Sequence, residues 1–414
     1  MSEKIIELPN GLRIAYKYAP HTRSVHCGYI INVGGRDDFE DAAGVSHFIE
    51  HLVFKGTTRR KTFHILNYIE SVGGDVNAYT TKEKTCVYAS LSAEHVERAI
   101  DVLTDIVFFS TFPEKEIVKE KQVILEEIDM YRDAPDEAIF EDFDALVFPN
   151  HTLGIPILGT KDSLPLIDKA KIEAFRDAFY TKERIVFSIA GNISEKELMK
   201  WANKYMKDLP LRSGNPVRIK PLEWEAKSEK TEISTHQAHE VIGGRAIDML
   251  HEDYSAFSML INWLGGPAMN SRLNLNIREK YGWAYNISSF YAPFVDTGLW
   301  GIYYACDVAN LKKIRNKVQK ELAESGKKLI GNLQFSHIQK QLIGQLILGN
   351  ENLVNQMLGM GKELLDFGKL IDFEEYIKKI EKVSSADFQR VAVEHFGEKN
   401  TGMISYLPKE ESNP

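Results

Sequence analysis

Cysteine is scarce in this 414-residue chain: there are three, Cys27, Cys86 and Cys306, spread far apart. Their number and spacing exclude a disulfide framework and a CxxC metal site, and point to a reducing compartment. A basic excess is also missing. Lys plus Arg is 51 against 59 Asp plus Glu, a formal net charge of −8, so the chain lacks the footprint of a nucleic-acid binder. No run approaches the ~18 uncharged apolar residues of a membrane span. Asp101 and Asp105 interrupt even AIDVLTDIVFF. The opening MSEKIIELPNGLRIAYKY has no apolar stretch and no small-residue cleavage site, so no secretory leader is expected. There is no G-x-S-x-G, P-loop or dinucleotide fingerprint. These absences predict a cytoplasmic protein with no nucleic-acid and no membrane partner. What is present is ample apolar material, 43% of residues, which excludes disorder as the main state.

The clearest boundary is LPLRSGNPVRIKPLEWEA, residues 209–226, with Pro210, Gly214, Pro216 and Pro221. Such punctuation reads as a linker and divides the chain into halves, 1–215 and 216–414. In the first half, GLRIAYKY and VHCGYIINVG read as strands. Val45–Phe54 reads as a helix stopped by Gly56, and Thr62–Ser71 as a second ending at Gly73–Gly74. DVNAYT and KTCVYASLS read as strands around a polar turn, and HVERAIDVLTDIVFF and EKEIVKEKQVILEEIDMY as helices. The second half replays this plan at an offset of about 208 positions, judged from Ile69 against Ile277. The expected fold is α+β: two similar α/β-sandwich halves, each a mainly antiparallel sheet covered by helices.

The segment GVSHFIEHLVFKGT carries the chemistry. With successive helical residues about 100° apart, His47, Glu50, His51 and Phe54 share one face, and apolar residues cover the rest. His47 and His51 are i, i+4 neighbours, so their imidazoles can converge on one Zn²⁺, with Glu50 beside them. HxxEH is the inverse of the HExxH helix. A polar face on an otherwise apolar helix costs free energy unless it meets something polar. A catalytic zinc needs a third protein ligand. In EKEIVKEKQVILEEIDMY, Ile117, Ile124, Ile128 and Tyr131 define the buried stripe. Glu120 and Glu127 lie on its edge, whereas Glu126 points away. Glu127 is therefore the ligand candidate and Glu120 its supporting partner. His236 and His239 fall in THQAHEV, read as a strand with the two on opposite faces, and take no metal role.

Four motifs in this order resemble the pitrilysin/insulinase family of zinc metallopeptidases, closest to its short members, which include the mitochondrial processing peptidases and their bacterial relatives. They are HFIEH at 47–51, VNAYT at 76–80, ILEEI with Glu127, and SRLNLNIREKYGWAY at 271–285. The resemblance implies a zinc peptidase acting on oligopeptides or unfolded segments through a metal-activated water. It implies His47, His51 and Glu127 as ligands, Glu50 as general base and Glu120 as the supporting carboxylate. Arg278 and Tyr285, seven positions apart, would hold substrate and stabilise the developing oxyanion. Asn77 and Ala78 would belong to an edge strand that pairs with peptide. Glu137 and Glu141 match positions that receive arginine near the cleaved bond in processing-peptidase relatives. One zinc per chain is expected, because the second half has no HxxEH. A homodimer is implied, since this chain carries both the zinc and the Arg/Tyr motifs. Read without the family, Arg278 is the exposed end of a helix and Tyr285 a half-buried strand aromatic. The alternative is a catalytically silent scaffold or peptide-binding subunit of the same fold.

Overall fold

The computed structural model describes residues 3–409; the end of the polar tail PKEESNP, expected to fray, lies outside them. The first strands are β1 (Lys4–Glu7), β2 (Arg13–Tyr18) and β3 (Ser24–Ile31), followed by α1 (Val45–Leu52) and α2 (Thr62–Glu70). Then come β4 (Asp75–Thr80), β5 (Thr85–Ser92), α3 (Val96–Phe108), α4 (Glu114–Arg132) and α5 (Pro135–Val147). Next are α6 (Lys169–Phe179), β6 (Ile185–Gly191), α7 (Glu195–Tyr205), β7 (Ser228–Ile233) and β8 (Ala238–Ala246). The chain continues with α8 (Tyr254–Gly265), β9 (Ala284–Pro293), β10 (Gly298–Cys306) and α9 (Val308–Lys327). It closes with α10 (Asn332–Asn350), α11 (Leu353–Asp366), α12 (Phe373–Lys382), α13 (Ser385–His395) and β11 (Gly402–Pro408). The strand and helix readings of the sequence fall on these elements. α1 closes at Leu52, two residues before the Phe54 that the pattern suggested.

Two compact units interleave along the chain. The first comprises Met1–Ile128, Ile155–Arg218 and Ile347–Asp372. Its sheet has the order β1-β2-β6-β3-β5-β4. β6 is buried at every residue, and β3 at all but Ser24 and His26. The reason is that both faces are covered: α3 packs on β3 and β5, and α11 lies across β2, β3 and β6. Met357, Met360 and Leu364 of α11 bury themselves with Ala15, Ile30, Val186 and Ala190.

The second unit comprises Asp129–Gly154, Ile219–Leu346 and Phe373–Pro414. Its sheet order is β7-β11-β8-β10-β9. Here α5 covers one face, with Ile139, Phe143 and Val147 packed beside Val241, Leu299 and Ile404. The other face lies under α8, α9 and α13, around Trp300, Phe257, Ile314 and Phe388.

The two sheets repeat one topology. β2 pairs parallel with β6, as β7 does with β11. β6–β3, β3–β5 and β5–β4 are antiparallel, as are β11–β8, β8–β10 and β10–β9. The edge strands differ in chemistry. β1 (KIIE) and β7 (SEKTEI) carry charges that discourage further pairing. β4 (DVNAYT) and β9 (AYNISSFYAP) are almost uncharged. No described helix is long and apolar enough to cross a membrane.

Candidate metal centre

α1 starts from Gly44, whose φ of 94° lies in the left-handed region. A Cβ there would stand 2.5 Å from the Leu158 carbonyl oxygen, and one on Gly159 (φ 78°) would stand 2.2 Å from that of Ala43. Only glycine admits this crossing. Ser163 Oγ donates to Ala43 O at 2.8 Å and secures it. Val45, Phe48, Ile49 and Leu52 are fully buried. Their burial turns His47, Glu50 and His51 toward α4. On α4, Ile117, Ile124 and Ile128 are buried and Glu126 is exposed, so Glu120 and Glu127 face α1.

The ligand atoms of His47, His51 and Glu127 lie within 4.8 Å of one another. Glu127 Oε2 is 3.9 Å from His47 Nε2 and 3.6 Å from His51 Nε2. Two donors of one tetrahedral ion at about 2.0–2.1 Å stand roughly 3.3 Å apart, so the cluster needs only a small contraction. The imidazole states also fit. Burial, with the charge of His51 adding to it, pushes His47 down to about 3, so His47 is neutral near pH 7 and has a lone pair to offer. His51 Nδ1 meets Glu120 Oε2 at 3.1 Å, which turns its Nε2 toward Glu127. Lys55 Nζ holds the other oxygen of Glu120 at 2.8 Å. Glu120 therefore orients the His51 imidazole.

Glu50 is half-buried, and burial raises its carboxyl above the ordinary range. Glu127 adds to that rise, while Thr80 and His51 oppose it. Thr80 Oγ1 is buried beside Glu50. Asn77 and Ala78 lie on β4, opposite Tyr88 and Val87 of β5. Among the described strands β4 has no neighbour on its other side, and α1 packs against it. The donor cluster and an open sheet edge are thus neighbours in the first unit.

The remaining sequence candidates lie in the second unit. Arg278 sits in a π-helical turn, Asn274–Glu279. Ala305 and Cys306 pair with Asn286 and Ala284, which leaves Tyr285 bulged out of the ladder. Tyr285 is 85% exposed, not half-buried, because the bulge turns it away from the sheet. The Arg278 guanidinium carbon stands 5.7 Å from its ring centre. π-turns and β-bulges both concentrate at functional sites. Glu137 is exposed on α5, while Glu141 lies 3.7 Å from Arg132. His236 falls before β8 rather than within it, and His239 bonds the Tyr303 hydroxyl at 3.0 Å. Lys55, Thr80 and Asp38 (below) were missed by sequence reasoning. Only Lys55, four residues after His51, had a local signal.

A two-unit α+β molecule whose first unit gathers a His₂Glu donor set beside an open strand is what the fold and geometry define. Residues 13–161 match Insulinase (Peptidase family M16), and residues 167–342 match the Peptidase M16 inactive domain. The chain belongs to this family, the M16 or pitrilysin/insulinase peptidases. It is 35% identical over 378 residues to YmxG of Bacillus subtilis (strain 168), an uncharacterized zinc protease, covering 91% of each chain. It is 30% identical over 400 residues to an uncharacterized zinc protease of Rickettsia felis, covering 97% of this chain and 96% of the relative. A protease from Helicobacter pylori superposes with a TM-score of 0.91 at 18% identity, covering 98% of this chain and 99% of that one. The peptidase M16 inactive domain from Pseudomonas fluorescens gives 0.90 at 19% identity, covering 100% of both. The inactive-domain match agrees with the second unit's own chemistry. α8, which holds the place of α1 between strand and helix, reads YSAFSMLINWLG and has no histidine or carboxylate.

Proposed function

We propose that the chain is a zinc endopeptidase of oligopeptides and unfolded segments, with His47, His51 and Glu127 holding one zinc. The convergence of three donor atoms within 4.8 Å, two of them on one helical turn, carries this reading. Zinc held by His₂Glu supplies Lewis-acid polarisation of a peptide carbonyl and of water. The chain's own residues do the rest. β4, through Asn77 and Ala78, takes an extended peptide as an added strand, which gives affinity with little sequence demand. Glu50 accepts a proton from the attacking water at its carboxylate and delivers it to the leaving amine nitrogen. Its raised pKa brings it nearer the range where such transfers are efficient. Arg278 and Tyr285 present a half-buried guanidinium and an exposed phenol for substrate carbonyls and the developing oxyanion. Glu137 and Glu141 favour basic residues near the cleaved bond.

A mixed quenched-fluorescent peptide library, with and without a zinc chelator and alongside metal analysis, tests this. Chelator-sensitive cleavage with one zinc per chain is expected, faster for arginine-bearing peptides than for their alanine counterparts. Equal rates for the two would remove the basic preference alone. Glu50→Gln keeps the zinc and loses about 10²–10⁴-fold in rate, the usual share of a general base. Zinc without any cleavage by the unmodified chain would instead mark a silent scaffold or peptide-binding subunit.

We place the chain in a reducing, cytoplasmic setting on the strength of its three buried free thiols. We also propose a homodimer, as the family resemblance implies. Sedimentation should give twice the 47.1 kDa of the chain, and a monomer at micromolar concentration would reject it.

A further inference from the structure

α1 carries two of the three proposed ligands and the proposed base, yet it has no side-chain cap of its own. The first backbone N–H groups of a helix have no partner within it. Here a distant residue supplies one. Asp38 is buried, and its Oδ2 accepts from the Gly44 N–H at 2.6 Å while its Oδ1 accepts from the Ser46 N–H at 3.0 Å. Ser46 immediately precedes His47.

The backbone that bears Asp38 is itself held on the far side. Gly35 N–H donates to Thr81 O at 3.1 Å and Arg36 N–H to Lys82 O at 2.8 Å, both in the turn that closes β4 onto β5. The Asp37 carboxylate accepts from Arg184 at 3.2 Å, from Arg218 at 3.0 and 2.7 Å, and from the Gly34 N–H at 3.2 Å. The neighbouring aspartates thus divide the work. Asp37 locks the loop into the sheet, and Asp38 reaches from that loop to the start of α1. The loop joins the turn of the proposed substrate strand to the proposed metal helix.

We propose that Asp38 is a positioning residue for the metal centre: it fixes the axial placement of α1 and hence the aim of His47, Glu50 and His51. The proposal rests on the zinc reading above but is tested separately from it. Asp38 is the fitting group, because its two oxygens accept from two N–H groups at once. Asn keeps one acceptor and turns an NH₂ toward the second N–H. Ala leaves both unpaired in a buried place.

The test uses the full chain with Asp38→Asn and Asp38→Ala, and Asp253→Asn as a control carboxylate at the start of α8. Zinc affinity is measured by competition with a chromophoric chelator. Amide hydrogen exchange of residues 48–52 is measured in the metal-free protein. Asp38→Asn should weaken zinc binding by about 10- to 100-fold, the range seen when supporting groups of a metal site are removed. It should also raise exchange in α1 above that in α8, while Asp253→Asn changes neither α1 exchange nor zinc affinity. Unaltered zinc affinity and α1 exchange in a folded Asp38→Asn protein would overturn the proposal, as would an equal loss in Asp253→Asn. If Asp38→Ala does not fold, the Asn variant decides alone. Failure of the unmodified chain to bind zinc would reject the metal reading, and the exchange arm would still decide whether Asp38 anchors α1.

Discussion

At the residue scale the proposed metal centre is a chain of contacts, Lys55 to Glu120 to His51 to the donor cluster. Each link orients the next: Lys55 Nζ holds one oxygen of Glu120, and the other oxygen meets His51 Nδ1. Glu120→Gln keeps the shape but removes the charge and offers an NH₂ that can meet Nδ1 in the wrong sense. We expect it to weaken zinc binding about 10- to 100-fold while the protein stays folded, with chelator competition as the measure. An unchanged affinity would show that Glu120 only packs. Most of this centre was legible in the sequence, because helical spacing maps directly onto a helix face: HFIEH put three groups on one side, and the isoleucine stripe of α4 separated Glu120 and Glu127 from Glu126. Asp38 and Thr80 were not legible. Their relation to α1 runs through a loop and a strand, and no periodicity reports which distant carboxylate or hydroxyl will meet a helix.

At the element scale, what the sequence concealed is irregularity. The strand and helix around Arg278 and Tyr285 could be read from pattern, but not the π-turn or the bulge that carry them, since one inserted residue alters the register without altering the composition. Helix anchoring in the second unit is more ordinary and makes a pH prediction. Arg390 of α13 donates to both oxygens of Asp253 at the start of α8, at 2.8 and 2.6 Å. These bonds hold the Asp253 carboxyl below its usual range. A carboxyl depressed in the folded state contributes stability that is present above the unfolded value of about 3.9 and is lost as pH falls through the folded one. Asp253→Asn should therefore lower the melting temperature near neutrality, and the gap to the unmodified chain should close below about pH 4. Arg390 is 45% exposed, so added salt should narrow the gap as well. A gap independent of pH would mean that Asp253 acts through shape rather than charge.

At the scale of the whole molecule, the exchange of helices sets how the halves depend on each other. α11 is encoded after most of the second unit but belongs to the first, and α5 is encoded within the first half but belongs to the second. The duplication was visible as an offset between two stretches of sequence, and the matching strand orders bear it out. The exchange was not visible, because α5 and α11 are ordinary amphipathic helices and nothing in such a pattern names the sheet it will cover. The physical consequence is specific. Without α11, Ile30 and Val186 lose the cover of Met357, Met360 and Leu364, each worth roughly 1.5–3 kcal/mol when fully buried. The hydrogen bond from Ser188 Oγ to Met357 O at 2.5 Å and the ion pair of Lys84 with Asp366 at 2.6 Å would go too. These losses together are comparable to the whole stability of a typical domain. A fragment of residues 1–218, cut at the linker, should therefore lack cooperative thermal unfolding, bind a hydrophobic dye and fail to retain zinc, although it carries every proposed ligand. Extending the same fragment with residues 347–372 through a flexible linker, or supplying that segment as a peptide, should restore a sharp transition. A fragment that folds and holds zinc unaided would show that α11 shields the first unit without being needed to form it.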